Sequence, residues 1–324
     1  MATLPVLGGL PNGLGLVLAS VEGLPMVRRD TGGSERRALG HHDRLGLAPL
    51  AALTMVAFAA NSILNRLALA DELIGPAGFA AIRVAAGAAV LLALLAARER
   101  AWPRPGKPDF AAIAGLAIYL VGFSFAYVSM DAGLGALILF GGVQVTMFGG
   151  ALLAGQRPPL QRWGGMGLAL AGLAVLSFPQ GPFAVSAGAF LLMATAALGW
   201  GVYSLAGQKV TDPLAATGWN FVYALPFVFV ALLFWPDTTG ASAGGVLLAV
   251  LSGGVTSALG YALWYRLLPS LGATRGALAQ LSVPAIALAL GAVLLGETVT
   301  GTALLAAAMI LGGIAVGLVR PRAS

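Results

Sequence analysis

Long apolar segments recur along the whole of this sequence and leave little choice of fold. Hydrophobic residues make up 59% of the 324 residues and charged residues only 9%. A helix needs about 20 apolar residues to cross about 30 Å of hydrocarbon. We therefore predict an all-α integral membrane protein with ten transmembrane helices. The predicted spans lie near residues 47–70, 78–97, 110–130, 133–153, 162–178, 185–206, 215–235, 244–268, 274–295 and 301–319.

The basic residues are distributed very unevenly between the two sides of these spans. Of the 18 Lys and Arg residues, 16 fall on one side of a ten-span chain, and only Arg66 and Arg83 do not. The opposite loops carry Asp131, Asp237 and Glu297. Because basic loops remain in the cytoplasm, both termini are predicted to be cytoplasmic. The basic character therefore reports membrane topology, and we predict no nucleic-acid partner.

The residue types that most often carry out catalysis are scarce in this chain. It has no cysteine, and its only histidines, His41 and His42, lie in the polar N-terminal tail. A Walker-type Gly-Lys-Ser/Thr motif, which would indicate ATP coupling, is not found either. We therefore predict no enzyme activity, no cofactor and no metal site. A lipid-modifying enzyme and a non-transport membrane scaffold remain as remote alternatives.

Both ends of the chain are predicted to lie outside the helical bundle. We expect residues 1–45 to form a disordered cytoplasmic tail, since its second part is polar and contains Gly and Arg. Met26, which is followed by a pair of arginines, is an alternative start to Met1. Residues 320–324 form a short cytoplasmic C-terminal tail.

A constant offset of 141 residues relates the two halves of the chain. Residues 135–137 match 276–278, Gly150 matches Gly291, Leu170 matches Leu311 and Gly172 matches Gly313. We predict a first repeat over residues 46–179 and a second over residues 185–319. Each repeat has five spans, an odd number, so the two repeats cross the membrane in opposite directions. Inverted repeats are typical of secondary transporters that bind their substrate near the membrane midplane.

The second repeat carries several motifs in a characteristic order. They are Gly260, Tyr261, Trp264 and Tyr265, then Leu-Gly-Ala-Thr-Arg at 271–275, Pro284, and Leu-Leu-Gly-Glu at 294–297. The first repeat has Phe-Ala-Ala-Asn at 58–61 and Ile-Arg at 82–83. Together these motifs resemble the EamA domains of the drug/metabolite transporter superfamily, over about residues 47–319. The first repeat departs from that pattern, because Val143 and Gln156 replace the Pro and Glu of the second.

The resemblance implies that the protein exports small metabolites, commonly amino acids, across the cytoplasmic membrane of a bacterium by alternating access. The superfamily includes exporters of aromatic amino acids, which the resemblance does not single out. The expected partners are a small-molecule substrate and the lipid bilayer. Because two fused repeats supply both halves of a transport path, we expect a monomer.

Polar and aromatic side chains within the spans are the candidate substrate contacts, since polar groups in lipid usually face a cavity or the bundle interior. The candidates are Asn61, Asn65, Arg83, Tyr119, Gln144, Trp200, Tyr203, Trp219, Asn220, Tyr223 and Gln280. The two asparagines lie four residues apart on one helix face, where hydrogen bonding between helices is the alternative role. Arg83 would bind a carboxylate through its guanidinium fork, extend toward the membrane surface, or pair with Asp71 or Glu72.

Two further groups of residues have structural interpretations. Trp102, Trp264 and Tyr265 are expected to be anchors at the membrane interface. Pro226 and Pro284 lie within spans, where proline frees a backbone carbonyl, and are candidate hinges.

The positions of the acidic residues bear on the mechanism. Every Asp and Glu falls in a tail, in a loop or at a helix end. Since proton-driven exporters commonly use a carboxylate within the membrane, we predict facilitated diffusion. The alternative is a proton-coupled antiporter that uses Asp131 and Glu297 near the outer ends of two helices.

Overall fold

The computed structural model describes residues 35–153, 155, 157–177, 186–207 and 210–318. All regular structure in this part of the chain is helical. The helices are α1 (Glu35–Ala70), α2 (Pro76–Glu99), α3 (Phe110–Ala126), α4 (Ala132–Leu153), α5 (Leu160–Ser177), α6 (Ala187–Gly207), α7 (Pro213–Phe234), α8 (Ala243–Leu251), α9 (Gly260–Gln280), α10 (Ser282–Leu295) and α11 (Gly301–Leu318). A π-helix, Ser252–Leu259, joins α8 to α9.

Several of these helices have the length and composition of membrane spans. Among the described residues, six stretches are long and apolar enough to cross a bilayer, by length and composition. They are Leu47–Ala70, Pro76–Glu99, Ala132–Leu153, Ala187–Gly207, Pro213–Ala231 and Ala243–Leu268. Three shorter apolar helices are Phe110–Ala126, Ser282–Leu295 and Gly301–Gly317. The all-α membrane class is therefore confirmed, whereas the count of ten crossings stays a prediction.

Two predicted boundaries differ in the structure. The first helix begins at Glu35, so residues 35–45 of the predicted disordered tail are helical. The predicted break between residues 268 and 274 is also wrong, because α9 continues to Gln280 and the helix is interrupted at Leu281. An isolated glycine within a helical pattern is tolerated, which is why the motif at 271–275 does not end the helix.

The chain divides by its contacts into two units, Met1–Ala48 and Pro49–Ser324. Residues 1–34 of the predicted tail, the C-terminal tail and Gln156 lie outside the described residues.

Within the second unit, small residues let the helices pack closely. The pairs with the most extensive packing are α3 with α6, α5 with α11, α2 with α7 and α4 with α6. A Cβ on Gly115 would lie 2.7 Å from the carbonyl oxygen of Gly199, where α3 crosses α6. Membrane helices associate through such small-residue contacts because lipid supplies no hydrophobic driving force between them.

Contacts between loops and helix termini define two ends of the bundle. At one end, the Arg66 end, Asp237 accepts hydrogen bonds from the backbone N–H groups of Ala77 (3.1 Å) and Gly78 (2.6 Å) at the start of α2. The other end, the Arg98 end, contains the start of α7. A carboxylate at a helix N-terminus satisfies free N–H groups and matches the helix dipole.

Candidate functional site

Arg83 lies on α2 and is fully buried in the bundle. Its Nε donates to the Ser257 hydroxyl at 3.0 Å. Its Nη2 donates to the hydroxyls of Tyr119 (3.0 Å) and Tyr261 (2.8 Å). Its Nη1 has no hydrogen-bond partner among the described residues. The guanidinium is therefore held by neutral hydroxyls, with one of its three nitrogens still available.

Two of the three roles considered for Arg83 are wrong. The side chain neither extends to the membrane surface nor pairs with Asp71 or Glu72, because its hydrogen bonds all point into the bundle. Its Cζ lies 5.2 Å from the ring centroid of Tyr119 and 5.0 Å from that of Phe123. Contacts of this kind between a cation and aromatic faces are favourable, more so when water is excluded.

Asn61 and Asn65 both point inward from α1 and are buried. The Oδ1 of Asn61 accepts from the hydroxyls of Ser252 (2.7 Å) and Thr256 (2.9 Å). Its Nδ2 donates to the Tyr119 hydroxyl at 3.3 Å. Asn65 donates to the backbone oxygen of Asn61 at 2.8 Å. Asn65 also donates to the Ser252 hydroxyl at 3.3 Å, whereas its Oδ1 has no partner among the described residues. These amides connect α1 to the π-helix and to α3, so hydrogen bonding between helices accounts for three of their four polar atoms.

Aromatic rings enclose a small cavity next to this network, which we call the central box. The Trp200 ring centroid lies 4.6 Å from that of Tyr261, 5.1 Å from that of Tyr119 and 5.6 Å from that of Phe58. The volume of the cavity is about 10 Å³, enough for about one water molecule. The residues that line the central box are Phe58, Asn61, Tyr119, Phe123, Leu139, Phe140, Trp200 and Tyr261.

The structure places Trp219, Asn220 and Tyr223 of α7 away from the central box. Trp219 and Asn220 line a separate cavity of about 310 Å³ at the Arg98 end, which we call the vestibule. The Tyr223 hydroxyl donates to the backbone oxygen of Gly106 at 2.7 Å. These three candidates therefore do not share a cavity with Trp200, another candidate. At about 1.5 Å per residue, Trp219 lies only about 9 Å from the start of α7. It is therefore too near the end of the bundle to line the central box.

An ion pair closes one side of the vestibule. Asp212 accepts from Arg98 through both oxygens, at 2.6 and 3.0 Å, and from the backbone N–H of Ala215 at 3.1 Å. Partial burial acts to raise the pKa of Asp212, but these hydrogen bonds outweigh it and the pKa is lowered. The other lining residues are Gly106, Lys107, Asp109, Ala112, Ala206, Val210, Thr211, Ala215, Ala216 and Tyr265.

A stacked pair of tyrosines separates the vestibule from the central box. The rings of Tyr203 and Tyr265 lie 4.9 Å apart at 24°, and the Tyr265 hydroxyl donates to the backbone oxygen of Tyr203 at 2.9 Å. Trp200 lies 5.4 Å beyond Tyr203. The anchor role predicted for Tyr265 and Trp264 is wrong, because both are buried; Trp102 is 78% exposed. Bundle packing, which hydropathy does not report, decides these positions.

The remaining candidates lie elsewhere in the bundle. Gln144 and Gln280 are buried, but neither lines the central box. The Nε2 of Gln144 and both side-chain polar atoms of Gln280 have no partner among the described residues. Pro226 is exposed within an uninterrupted α7, and Pro284 is buried near the start of α10. Their roles as hinges stay predictions.

Charged residues gather at the Arg66 end, in what we call the Arg66 cluster. Arg66 lies 3.6 Å from Asp131 and 4.0 Å from Glu297. Glu297 accepts from the backbone N–H groups of Ala132 (2.6 Å) and Gly133 (3.3 Å) at the start of α4. Burial raises the pKa of Glu297 even though the two N–H groups act to lower it. Three segments of the chain thus meet at one carboxylate.

Several members of the network around Arg83 were not among the candidates predicted from the sequence. Ser252, Thr256, Ser257 and Tyr261 all contact Arg83 or Asn61 from the π-helix and α9. Polar residues spaced by four or five in an apolar segment were the available signal, because this spacing places them on one helix face. Hydroxyls are common within membrane helices, where they bond to their own backbone, so this signal is weak.

The helical fold and its apolar spans define a multi-pass membrane protein, and the family that its sequence matches identifies it as a transporter rather than an enzyme. The chain belongs to the EamA-like transporter family, whose sequence pattern matches residues 187–319. It is 44% identical to an uncharacterized protein of Pseudomonas aeruginosa over 84% of this chain and 94% of the relative.

More distant relatives carry functional names. Probable amino-acid metabolite efflux pumps of Salmonella typhimurium and Escherichia coli are 29% and 27% identical to this chain, each over 63% of it and 74% of the relative. A solved crystal structure of another protein matches with a TM-score of 0.60 and 20% identity, covering 85% of this chain and 97% of that chain. This likeness supports the fold alone.

Proposed function

We propose that this transporter exports small carboxylate-bearing metabolites, foremost amino acids, and that Arg83 binds the carboxylate. The observation that carries the proposal is a fully buried guanidinium whose Nη1 has no partner among the described residues. The only acidic residue within the six apolar stretches is Glu99, the last residue of one of them. A buried charge is costly unless it is paired, so an anionic solute would complete the site.

Distant relatives support amino acids as the solute class. The two relatives from Salmonella typhimurium and Escherichia coli are described as probable amino-acid metabolite efflux pumps. The free Nη1 of Arg83 can donate a charge-assisted hydrogen bond to a carboxylate, the group that all amino acids share. The walls of the central box are largely aromatic, as small-molecule sites usually are.

Transport through the central box requires a change of conformation. A cavity of about 10 Å³ cannot hold an amino acid. Tyr119 and Phe123 lie between the box and Arg83, while Tyr203 and Tyr265 lie between the box and the vestibule. We infer that these rings move when the bundle opens toward the vestibule, which gives a solute access to the guanidinium.

Packing between the two halves supports the proposal of inverted repeats. Helices that the 141-residue offset makes equivalent pack on each other: α2 on α7, α4 on α10 and α5 on α11. The offset also exchanges two close contacts. A Cβ on Gly165 would overlap the carbonyl oxygen of Gly313, and a Cβ on Gly172 would lie 3.0 Å from that of Ala306. Pairs of this kind are expected around a pseudo-two-fold axis, which is the basis of alternating access in such transporters.

The distribution of basic residues supports an orientation in the membrane and a direction of transport. The basic loops lie on the side of the Arg98 end, so we place that end, the vestibule and both termini in the cytoplasm of a bacterium, at its inner membrane. The vestibule would then admit solute from inside. The fused repeats supply the whole path, and we propose a monomer.

Facilitated diffusion is the mechanism that the buried residues favour, since no carboxylate lies next to Arg83 in the described spans. Proton coupling is the second candidate. It is favoured by one observation, the raised pKa of Glu297 in the Arg66 cluster, which brings its titration closer to neutral pH.

Efflux from proteoliposomes loaded with a pool of amino acids tests the proposal. Arg83→Gln removes a charged hydrogen bond to the solute, so we expect export to slow by about 10-fold or more. Arg104→Gln, which removes the same charge from an exposed loop, should export at the wild-type rate. Wild-type export by Arg83→Gln, or no export of any solute, would contradict the proposal. Acceleration by a pH gradient would favour the proton-coupled alternative.

A further inference from the structure

We infer that the central box recognises the carboxylate of its solute but not an amino group, so that 2-oxo acids with apolar side chains are substrates alongside the matching amino acids. The inference rests on the proposed function and specifies which chemical groups of the solute the same site recognises. It follows from the hydrogen-bond donors, the acceptors and the charges around the box, taken in turn.

One free hydrogen-bond donor lines the box, and another lies behind its Tyr119 and Phe123 wall. The Nη1 of Arg83 carries two N–H groups and has no partner among the described residues. The indole Nε1 of Trp200, a residue that lines the box, is likewise buried, with no partner in the described part of the chain. An indole N–H only donates, and a guanidinium only donates. Both groups therefore require an acceptor, and the two oxygens of a carboxylate supply it.

Free acceptors, in contrast, are nearly absent from the lining. The Oδ1 of Asn61 already accepts two hydroxyl hydrogen bonds, from Ser252 and Thr256. The Tyr119 hydroxyl is the target of three donors: Asn61, Arg83 and the Tyr261 hydroxyl. An ammonium group brings three donors that all need acceptors once water is removed. Among the described lining residues, the box offers an ammonium little beyond aromatic faces, and the free Oδ1 of Asn65 belongs to a residue that does not line the box.

The charges near the box also disfavour an ammonium group. Arg83 is the buried positive charge nearest to the box, and no acidic side chain lies within the described apolar stretches except Glu99 at a helix end. An anion neutralises the guanidinium, whereas the ammonium of an amino acid adds a second buried positive charge. Like charges in a medium of low dielectric constant repel strongly. Removal of the amino group should therefore not weaken binding.

The walls of the box determine which side chain the solute can carry. Phe58, Leu139 and Phe140 present apolar surface opposite the polar network and contain no group to pair with a charged side chain. The solute class that fits is a monocarboxylate with an apolar side chain. Three related solutes separate the two groups. The 2-oxo acid of leucine (4-methyl-2-oxopentanoate) lacks the amino group, and the amide of leucine (leucinamide) lacks the carboxylate.

Efflux of these three solutes, each loaded separately, is the test, with the leak from protein-free liposomes subtracted. We expect the 2-oxo acid to leave at least as fast as leucine, and leucinamide not to exceed the leak. Export of leucine with the 2-oxo acid about 10-fold slower would overturn the inference and leave the proposed function intact. Export of the 2-oxo acid without leucine would contradict amino-acid export and, with it, the inference that the two kinds of solute share the site. No export of either would contradict both.

An Asn61→Asp variant tests the electrostatic basis. The substitution keeps the side-chain shape and its acceptance of the Ser252 and Thr256 hydroxyls, while it places a carboxylate at the box. We expect the variant to export leucine faster than the 2-oxo acid, the reverse of the wild type. An unchanged order in a variant with wild-type thermal stability would overturn the inference.

Discussion

At the scale of single residues, the unusual feature is a cation surrounded by neutral partners. Arg83 has hydroxyl partners on two of its nitrogens and aromatic rings beside its plane. Each contact reduces the cost of burial, but none supplies the opposite charge that a buried guanidinium lacks. In the proposed function, the carboxylate of the solute would supply that charge.

Glu297 leads to a prediction about pH at the same scale. Burial raises its pKa above the unfolded value of about 4.3. Between the pKa of the unfolded state and that of the folded state, the folded state binds more protons than the unfolded state. The contribution of Glu297 to stability is therefore complete below about pH 4.3 and is lost as the pH rises through the folded pKa. The melting temperature of the wild type, relative to that of Glu297→Gln, should fall over this range.

Thermal unfolding of both proteins in detergent, from about pH 4 to about pH 8, measures this difference. The interval includes the pKa of an unfolded glutamate and a raised pKa in the folded protein. The Gln variant is the matched control, because it keeps an oxygen for the N–H groups of α4 but cannot titrate. A difference in melting temperature that stays constant or increases with pH would contradict the burial of Glu297.

At the scale of secondary-structure elements, the crossing of α5 and α11 depends on the absence of side chains. A Cβ on Gly165 would overlap the carbonyl oxygen of Gly313, whereas a Cβ on the neighbouring Gly164 would meet nothing within 4 Å. Gly165→Ala should lower the free energy of unfolding by about 1–3 kcal/mol, since the backbones must separate. Gly164→Ala should leave it unchanged or raise it by up to about 1 kcal/mol.

Unfolding of the two alanine variants, followed by circular dichroism in one detergent, compares them directly. Both substitutions add one methyl group to the same helix, so differences in helix propensity cancel. Equal stability of the two variants would show that α5 and α11 do not approach as closely as the structure indicates.

The sequence predicted the elements of this bundle better than their contacts. Apolar length determines where spans lie, so most helices fall near their predicted positions. The pattern also predicted that Asn61 and Asn65 face inward, because polar groups avoid lipid, whereas it left an outward position open for Arg83. It did not predict that Tyr261 contacts Arg83, or that Trp219 lies in another cavity. Those contacts depend on how helices distant in sequence pack together.

At the scale of the whole molecule, ionic contacts join the two proposed halves at both ends. Arg66 connects α1 to the α10–α11 loop through Glu297, and Arg98 connects α2 to the start of α7 through Asp212. The central box lies in the same bundle and is closed by aromatic rings. In an alternating-access cycle, each opening would separate the contacts at one end while the other end stays closed.

Counterflow exchange tests the central claim most directly, namely that a carrier site built on Arg83 moves the solute. Liposomes filled with a high concentration of the unlabelled solute that the wild type exports fastest are placed in a trace of the labelled solute. An alternating-access carrier should accumulate label inside above its outside concentration for a time, and Arg83→Gln should not, while Arg104→Gln should. Entry of label that only approaches equilibrium, or equal accumulation by Arg83→Gln, would contradict the account.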